Sequence, residues 1–396
     1  MLPLSGIRIL DLSRTLIGPF ATQFLADFGA EVIRVEDING EITRVPRPPL
    51  LGDKNHPRFY AVNRHKKSMS LDLRQTEGRE IFKKMIPDCD ILVENFRPGT
   101  MQKLGLDYAR LKDINPQLIY CALTAYGSTG PLCQSAGHDL NILSLTGITE
   151  LTGIKNNKPG MAPVQISSAC ASLYGITAIL LALRHREKTG CGQFCDIAMF
   201  DGAISILAYA LAEWSAEAVL PERGGGSTSG GFASYQLYET KDEKYISLAA
   251  SEFKSWEIFC QRLGHPEFIP EHRNIKVQPQ LISAVENLIK QKNQAEWLEL
   301  FADSNVCITP VLNFEEMCQS AQTIERQMVI NMENFENSGK TLRLAGNPVK
   351  LSLSPAEPQI DFPALGQDTM EILAEIGYSQ QEIQNLIDKQ IVRAST

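Results

Sequence analysis

Two short stretches of the sequence carry side chains that could do chemistry. His138 and Asp139 open an apolar-periodic segment, residues 137–148, that is typical of a buried helix. Near the positive end of a helix dipole an imidazole is held neutral at about pH 7 and can accept a proton. Asp139 also suits that end of a helix electrostatically. The pair indicates a general base, and the alternative is a structural histidine followed by an ordinary helix cap.

The second stretch, residues 159–175, is rich in small hydroxyl and thiol side chains. Ser167, Ser168 and Cys170 are its candidate nucleophiles, and no Asp or Glu occurs within residues 151–186. An unactivated serine is a weak nucleophile and needs a neighbouring base. The stretch therefore offers nucleophiles of limited reactivity and no carboxylate.

The elements that must position these residues alternate between strand and helix. The pattern predicts a strand at residues 7–12, a helix at 18–29 and a strand at 30–36. Further strands are predicted at 90–95 and 117–123, with helical patterns between them. The alternation predicts an α/β fold with a Rossmann-like, doubly wound parallel sheet covered on both faces. No GxGxxG motif follows the first strand, so NAD is not expected as a cofactor.

The length of 396 residues favours a large core with a satellite domain. We expect a large domain at residues 1–222, a smaller α+β domain at 223–330, and a C-terminal segment at 331–396 that returns to the large domain. The glycine-rich loop at residues 223–231 marks the boundary and is either a linker or a lid over the ligand. A β-hairpin and several helices are predicted after it.

Composition and charge exclude several classes of function. The net charge of -8 argues against a surface that binds nucleic acid. The sequence starts without a signal-peptide pattern, and no apolar run is expected to reach the ~18 residues of a membrane span. A cytoplasmic location is therefore expected, with no membrane partner. The nine cysteines show no metal-ligand spacing, so no metal is expected.

Six segments, taken in order along the chain, resemble the family III CoA-transferases, also called the CaiB/BaiF group. They are residues 9–36, 63–80, 91–108, 125–131, 181–201 and 365–379. This group includes formyl-CoA transferase, the carnitine CoA-transferase and α-methylacyl-CoA racemase. Residues 137–147, 235–256 and 306–312 are most similar to the racemase branch. The resemblance implies an acyl-CoA ligand and an interlocked homodimer in which each chain threads through the other.

Coenzyme A carries phosphates, so its site needs cations and backbone donors at the strand ends of the sheet. The candidates are Arg34, Arg44, Arg64, Lys66, Lys67, Asn95, Arg97 and Tyr126. Arg97 is the strongest of them, because it lies at a predicted strand end within a segment that matches the family. For any single lysine, a solvated surface charge is the alternative.

The resemblance also assigns catalytic roles. In the racemase branch the histidine that matches His138 is one of two bases that exchange the proton α to the thioester carbonyl. Glu252 aligns with a glutamate beside the catalytic pair and could orient His138; a surface glutamate is the alternative. Counting back from residues 186–190 places the catalytic aspartate of the transferases at Ser168, and the racemase spacing places it at Ser167. The resemblance therefore predicts a site that lacks its carboxylate.

Four interpretations remain open. We predict an enzyme that enolises an acyl-CoA with His138 as base and solvent or Cys170 as proton donor, because it needs only residues that are present. A transferase or acyltransferase could instead use Ser167, Ser168 or Cys170 in place of the aspartate. The third interpretation is a non-catalytic acyl-CoA-binding subunit, paired with a paralogue that keeps its aspartate. The fourth is that the residue was altered deliberately.

Overall fold

The structure, a computed structural model, describes residues 1–52 and 54–395, which form two compact units. Unit 1 comprises Met1–Leu143, Gln165–Ile206 and Ala321–Thr396, and unit 2 comprises Ser144–Val164 and Leu207–Ser320. The expected boundaries at 222/223 and 330/331 therefore lie later in the chain than those of the structure. The expected division also misses the segment 144–164, which belongs to unit 2 although it lies between two parts of unit 1.

The strands and helices are numbered in chain order. The strands are β1 (Arg8–Asp11), β2 (Glu31–Glu36), β3 (Lys67–Leu71), β4 (Ile91–Glu94), β5 (Ile119–Thr124), β6 (Phe194–Ala198), β7 (Tyr235–Glu239), β8 (Tyr245–Ala249), β9 (Ile308–Pro310), β10 (Val329–Met332), β11 (Leu342–Ala345) and β12 (Val392–Arg393). The helices are α1 (Ile17–Ala26), α2 (Pro57–Val62), α3 (Thr76–Met85), α4 (Thr100–Leu104), α5 (Tyr108–Ile114), α6 (Asp139–Leu145), α7 (Ile148–Leu151), α8 (Ile166–Thr189), α9 (Met199–Ser205), α10 (Ala208–Glu217), α11 (Phe253–Leu263), α12 (Gln278–Ile289), α13 (Gln294–Phe301), α14 (Phe314–Gln319), α15 (Ala321–Glu325), α16 (Thr369–Glu375) and α17 (Gln380–Asp388).

The main sheet of unit 1 has seven strands in the order β12-β3-β2-β1-β4-β5-β6. The chain runs outward from β1 through β2 to β3 and then returns to place β4 on the other side of β1. Neighbouring strands are parallel except for β12, which is antiparallel to β3. In such a sheet ligands bind outside the carboxyl ends of the strands, at the point where the strand order reverses. That point lies between β1 and β4.

Both faces of this sheet are covered, as the sequence predicts. Successive residues of β1 point to opposite faces: Ile9 packs in one core cluster with Ile179 of α8, and Leu10 packs in another with Phe82 of α3 and Leu373 of α16. Burial on both faces explains why β5, with the sequence IYCALT, is a nearly continuous apolar run rather than an alternating one.

Helix α8 is longer than any apolar run expected from the sequence. It spans 24 residues, Ile166–Thr189, and is long and apolar enough to cross a membrane by length and composition alone. The expectation that no apolar run reaches ~18 residues is therefore wrong. Half of the apolar window is buried inside the protein, and a core helix passes the same test.

Unit 2 contains a three-stranded antiparallel sheet in the order β7-β8-β9. The predicted hairpin is confirmed, since β7 and β8 pair antiparallel from Tyr235↔Ala249 to Glu239↔Tyr245. Its core is formed around the fully buried Trp256 and Phe259 of α11. Two short helices precede this sheet in the chain, α9 in unit 1 and α10 in unit 2.

The last helix of unit 1, α17, begins with a capping box. The hydroxyl of Ser379 accepts from the Glu382 backbone N–H, and the Glu382 carboxylate accepts from the Ser379 backbone N–H at 2.8 Å. This reciprocal capping box satisfies two backbone donors that a helix start otherwise leaves unpaired.

Candidate active site

A cavity of about 780 Å³ opens at the carboxyl ends of β1, β4 and β5. Its lining includes Thr15 after β1, Asn95 and Arg97 after β4, and Ala125 after β5. Asn95 joins two of these loops, because its amide accepts from the Arg14 backbone N–H at 2.8 Å and donates to the Arg14 carbonyl at 2.9 Å. The cavity thus lies where the strand order reverses, the usual ligand position in this type of sheet.

His138, the predicted base, lines this cavity. Helix α6 begins at Asp139, so His138 precedes the helix instead of lying inside its first turn, and its backbone N–H donates to Asn141 Oδ1 at 3.1 Å. The expectation of a buried helix is also wrong, because Ile142 and Leu143 are its only buried residues. The imidazole is exposed and accessible from the cavity.

Asp139 brings a carboxylate to the residues that take the family aspartate position. Its Oδ1 accepts from the Ser167 hydroxyl at 2.6 Å, from the Ser168 backbone N–H at 2.9 Å and from the Ser168 hydroxyl at 3.3 Å. Both serines lie in the first turn of α8, whose positive end favours a negative charge. A carboxylate from α6 therefore lies beside Ser167 and Ser168, although neither of these two positions is itself acidic.

The candidate nucleophiles of the same stretch are less available than the sequence suggests. Ser167 and Ser168 are buried and donate to Asp139. Burial, and then the charge of Asp139, raise the pKa of the Cys170 thiol. A thiol with a raised pKa has little thiolate and is a poor nucleophile near neutral pH.

Four of the cations predicted to bind coenzyme A are instead buried in ion pairs. The pairs are Arg34–Glu41 at 2.8 Å, Arg44–Glu36 at 2.6 Å, Arg64–Asp27 at 2.7 Å and Lys66–Asp11 at 3.2 Å. No more than 6% of any of these four side chains is exposed. A buried charge requires a partner, so ion pairing accounts for these cations, although Arg34 also lines the cavity of about 420 Å³ beside the ends of β1, β2 and β3. The sequence pattern does not distinguish them from exposed cations.

The other residues predicted to bind coenzyme A differ in their exposure and in their contacts. Lys67 is half-buried and pairs with Glu31 at 3.1 Å and Glu371 at 2.9 Å. Arg97 is exposed and lines the cavity, as expected for a ligand cation. Tyr126 packs its ring against Phe200, with a centroid distance of 6.1 Å.

Tyr126 also contacts the segment that leads into the base. A Cβ built on Gly137 would lie 3.0 Å from the Tyr126 ring and hydroxyl. Glycine therefore allows the close approach of the ring to the residue before His138. Tyr126 supports the position of His138 from outside the cavity lining.

Four arginines that the sequence analysis misses line cavities at the same edge of the sheet. Arg47 and Arg58 line the cavity of about 780 Å³, and Arg14 and Arg74 line a second cavity of about 420 Å³ beside the ends of β1, β2 and β3. The sequence contains a signal for Arg14 and Arg74 as ligand residues. Arg14 follows the predicted strand at 7–12, and Arg74 lies within the family-like segment 63–80. Arg47 and Arg58 lie in a connection with no periodic pattern.

Glu252 lies in unit 2, exposed at the residue before α11. The glycine-rich loop also belongs to unit 2, and the Gly231 N–H donates to the Gly226 carbonyl at 3.0 Å. That Glu252 orients His138, and that the loop closes over a ligand, stay predictions.

Glu94 makes the edge of the sheet sensitive to pH. It ends β4 directly before Asn95, is buried, and accepts from the Phe96 N–H at 2.7 Å. Burial raises the pKa of Glu94 from an ordinary 4.5 to about 7, the hydrogen bond from Phe96 lowers it, and the nearby Asp196 raises it further. Between these two pH values the folded chain holds a proton that the unfolded chain has released. Stability is therefore fully present below pH 4.5 and falls as pH rises through 7.

We expect Glu94→Gln to raise the free energy of unfolding at pH 8 by about 1 to 3 kcal/mol, with a smaller change at pH 5. Urea unfolding at both pH values measures this difference. The exposed Glu325→Gln serves as the control, and the same shift at both pH values would contradict the prediction.

Comparison with known proteins agrees with this architecture. The family model CoA-transferase family III matches residues 4–369. The human succinyl-CoA:glutarate CoA-transferase is 33% identical, with 98% of this chain and 90% of that protein covered. The human alpha-methylacyl-CoA racemase is 32% identical, with 99% and 98% covered. The crystal structure of a CAIB/BAIF family protein from Brucella suis superposes with a TM-score of 0.82 at 31% identity, covering 95% of this chain and 99% of that one.

The family match covers most of the chain, and both relatives align over almost its whole length. They include a transferase and a racemase, both of which act on acyl-CoA thioesters. The chain belongs to CoA-transferase family III.

Proposed function

We propose that the protein transfers a proton at the α-carbon of an acyl-CoA, with His138 as the base. The observation that carries this proposal is the exposed imidazole of His138 on the wall of the cavity at the carboxyl edge of the sheet. A general base must reach the proton that it removes before its pKa matters. His138 meets this first requirement, and the relative named alpha-methylacyl-CoA racemase supports the reaction class.

In this reaction the C–H bond beside the thioester carbonyl breaks and its proton passes to the imidazole. The electron pair moves into the carbonyl, so negative charge develops on the thioester oxygen. Among the described residues that line the cavity, Arg47, Arg58 and Arg97 are the cations and Asp139 is the one carboxylate. A net positive potential of this kind stabilises an enolate. The proton returns from His138 or from solvent, which reaches the exposed imidazole.

We propose that coenzyme A lies along the same edge of the sheet and extends into the second cavity. Arg14 and Arg74 line that cavity, where the Arg14 guanidinium lies 5.0 Å from the centre of the Phe96 ring. Phosphates need charged donors, and the Arg74 side chain is 65% exposed although it pairs with Asp72. Arg14 and Arg74 are therefore our candidates for binding the phosphates of coenzyme A, in place of the four cations that are buried in ion pairs.

The test is the loss of deuterium from the α-carbon of 2-methylbutanoyl-CoA and of succinyl-CoA, each labelled at C2. The full-length protein in ordinary water is expected to release deuterium, which mass spectrometry of the recovered thioester measures. Retention of the label in both thioesters, while coenzyme A binds, would rule out proton transfer to these substrates and leave CoA transfer or a binding subunit as the interpretations.

A second candidate function is CoA transfer through Asp139. It is favoured by the contacts of Asp139, because Ser167 and Ser168 engage Oδ1 and leave Oδ2 without a hydrogen-bond partner among the described residues. Attack of Oδ2 on the thioester carbonyl breaks the C–S bond, releases coenzyme A as a thiolate and leaves an acyl anhydride on Asp139. A carboxylate can form and return such an intermediate by covalent catalysis.

Trapping separates this route from proton transfer. If transfer occurs, incubation with succinyl-CoA followed by hydroxylamine is expected to mark the peptide that contains Asp139. The double variant Asp139→Asn, Ser168→Asp is expected to move the mark to the peptide that contains residue 168. Ser168→Asp alone places two carboxylates within hydrogen-bond distance, which disfavours ionisation of both, so its yield should be lower. An acyl group found on the peptide with Ser167 and Ser168 before hydroxylamine is added, and removed by it, would instead support serine nucleophiles.

We also propose that a second copy of the chain covers the exposed face of α8. Leu173, Leu180 and Leu181 are exposed and lie on one face of that helix, opposite its buried residues. Exposed apolar stripes of this kind usually mark an interface. Sedimentation equilibrium of the full chain tests this proposal, and a monomer at micromolar concentration would contradict it.

A further inference from the structure

Two of the arginines that line the cavity with His138 have no specific ligand group assigned to them above. Arg47 and Arg58 both line it, and both are exposed. They lie near each other around His56, whose Nδ1 accepts from the Arg58 backbone N–H at 3.1 Å. Burial, and then the charges of Arg47 and Arg58, lower the pKa of that histidine. Two guanidinium groups are therefore held on one side of the cavity.

Neither guanidinium has an ionic partner within the part of the chain that the structure describes. Arg34, Arg44 and Arg64, by contrast, each pair with a carboxylate at 2.8 Å or less. The single carboxylate of the described lining, Asp139, accepts from Ser167 and Ser168 through Oδ1 and forms no ion pair with either arginine. Two like charges held together without a counter-ion attract an anion from outside the chain.

The rest of this part of the cavity suits a short hydrocarbon chain. The side chains of Leu16 and Ile17 line it from the start of α1, and those of Ala61 and Val62 from the end of α2. Arg58 lies on α2 as well, so the cations and the apolar surface belong to adjoining elements. A ligand that fits both parts has a methylene chain that ends in a negative group.

We propose that the cavity selects acyl-CoA thioesters of dicarboxylic acids, with Arg47 and Arg58 binding the carboxylate at the far end of the acyl chain. A carboxylate accepts paired hydrogen bonds from guanidinium groups, which gives this contact its geometric specificity. The inference rests on the proposed function, because it requires the acyl group to occupy the cavity that contains His138.

The phosphates of coenzyme A are a second source of negative charge, and binding measurements distinguish the two. The probes are coenzyme A and the thioethers S-(3-carboxypropyl)-CoA and S-butyl-CoA, which differ from each other only by a carboxylate in place of a methyl group. Thioethers neither enolise nor transfer an acyl group. The result is therefore independent of whether proton transfer occurs.

Isothermal titration calorimetry of the full-length protein is expected to give a Kd for the carboxypropyl thioether about 10-fold below that for the butyl thioether. Arg47→Met and Arg58→Met should each reduce this preference several-fold, and the double variant should abolish it. Arg58→Lys should keep part of it, and the exposed Arg326→Met should leave it unchanged. High salt should weaken the preference, because exposed charges are screened.

Two results would overturn the inference. One is equal affinity of the unaltered protein for the two thioethers. The other is an equal loss of affinity for coenzyme A and both thioethers in the arginine variants, which would assign Arg47 and Arg58 to the phosphates. If only the proposed proton transfer is wrong, the protein would still prefer the carboxypropyl thioether, but deuterium would stay on the α-carbon of the acyl-CoA. The melting temperature of each variant shows that the fold is retained.

Discussion

Replacing His138 with asparagine is expected to slow the loss of α-deuterium from a bound acyl-CoA by at least ~100-fold, because positioned general bases contribute this much or more. The asparagine side chain has a similar size but accepts no proton at neutral pH. His138 precedes α6 and is exposed, so the substitution removes no buried contact and should leave the fold intact. The rate is measured by mass spectrometry of the recovered thioester, and binding by calorimetry with S-butyl-CoA.

Two further variants make this result specific. His185→Asn changes another exposed histidine of unit 1, on α8, and is expected to leave the rate unchanged. Asp139→Asn tests whether the neighbouring carboxylate removes the proton instead. An unaltered rate in His138→Asn, together with a large loss in Asp139→Asn, would assign the base to Asp139 and contradict our proposal.

Replacing Asp11 with alanine is expected to lower the free energy of unfolding by about 3 to 5 kcal/mol, the usual cost of leaving a buried charge unpaired. Asp11 is fully buried at the end of β1, and its Oδ2 accepts from Lys66 Nζ at 3.2 Å and from the Thr22 hydroxyl at 2.6 Å. Its Oδ1 accepts from the Ser13 backbone N–H at 2.9 Å. The substitution removes the ion-pair partner of the fully buried Lys66 ammonium group, which keeps only neutral hydrogen-bond partners, the Pro19 carbonyl at 2.9 Å and Asn63 Oδ1 at 3.1 Å. Urea unfolding at pH 7 measures the loss.

The double variant Asp11→Ala, Lys66→Met is expected to recover part of this loss, because it removes the charge that lost its partner. Burial lowers the pKa of Lys66 to about 8, against the attraction of Asp11. Asp107→Ala breaks an exposed pair with Arg110 and should cost less than ~1 kcal/mol. An equal loss in Asp11→Ala and Asp107→Ala would contradict the view that burial sets the cost.

The sequence predicts those parts of the fold that local patterns determine. The strand at 30–36, helix α5 and the hairpin of unit 2 follow from apolar runs and turn residues, and the structure has each of them within a residue or two. The capping box at Ser379 is also local, because both of its partners lie within one turn. Such features need no knowledge of distant neighbours.

The candidate site depends on contacts that no local pattern contains. Whether Arg44 is buried against Glu36 or exposed to a ligand depends on how the sheet packs, and both arrangements have the same sequence. The contact of Asp139 with Ser168 joins residues 29 positions apart. Arg47 and Arg58 become neighbours only through the path of an irregular connection. Tertiary packing, rather than periodicity, therefore decides most of the chemistry.

The hydrogen bonds between Asp139 and the start of α8 have a consequence for how such proteins diverge. Since Asp139 of α6 and Ser168 of α8 lie within hydrogen-bond distance, a carboxylate on either helix would occupy nearly the same space. A comparison of sequence motifs alone would classify this chain as lacking the catalytic aspartate. Comparing where charges lie in space instead shows a carboxylate within hydrogen-bond distance of both serines.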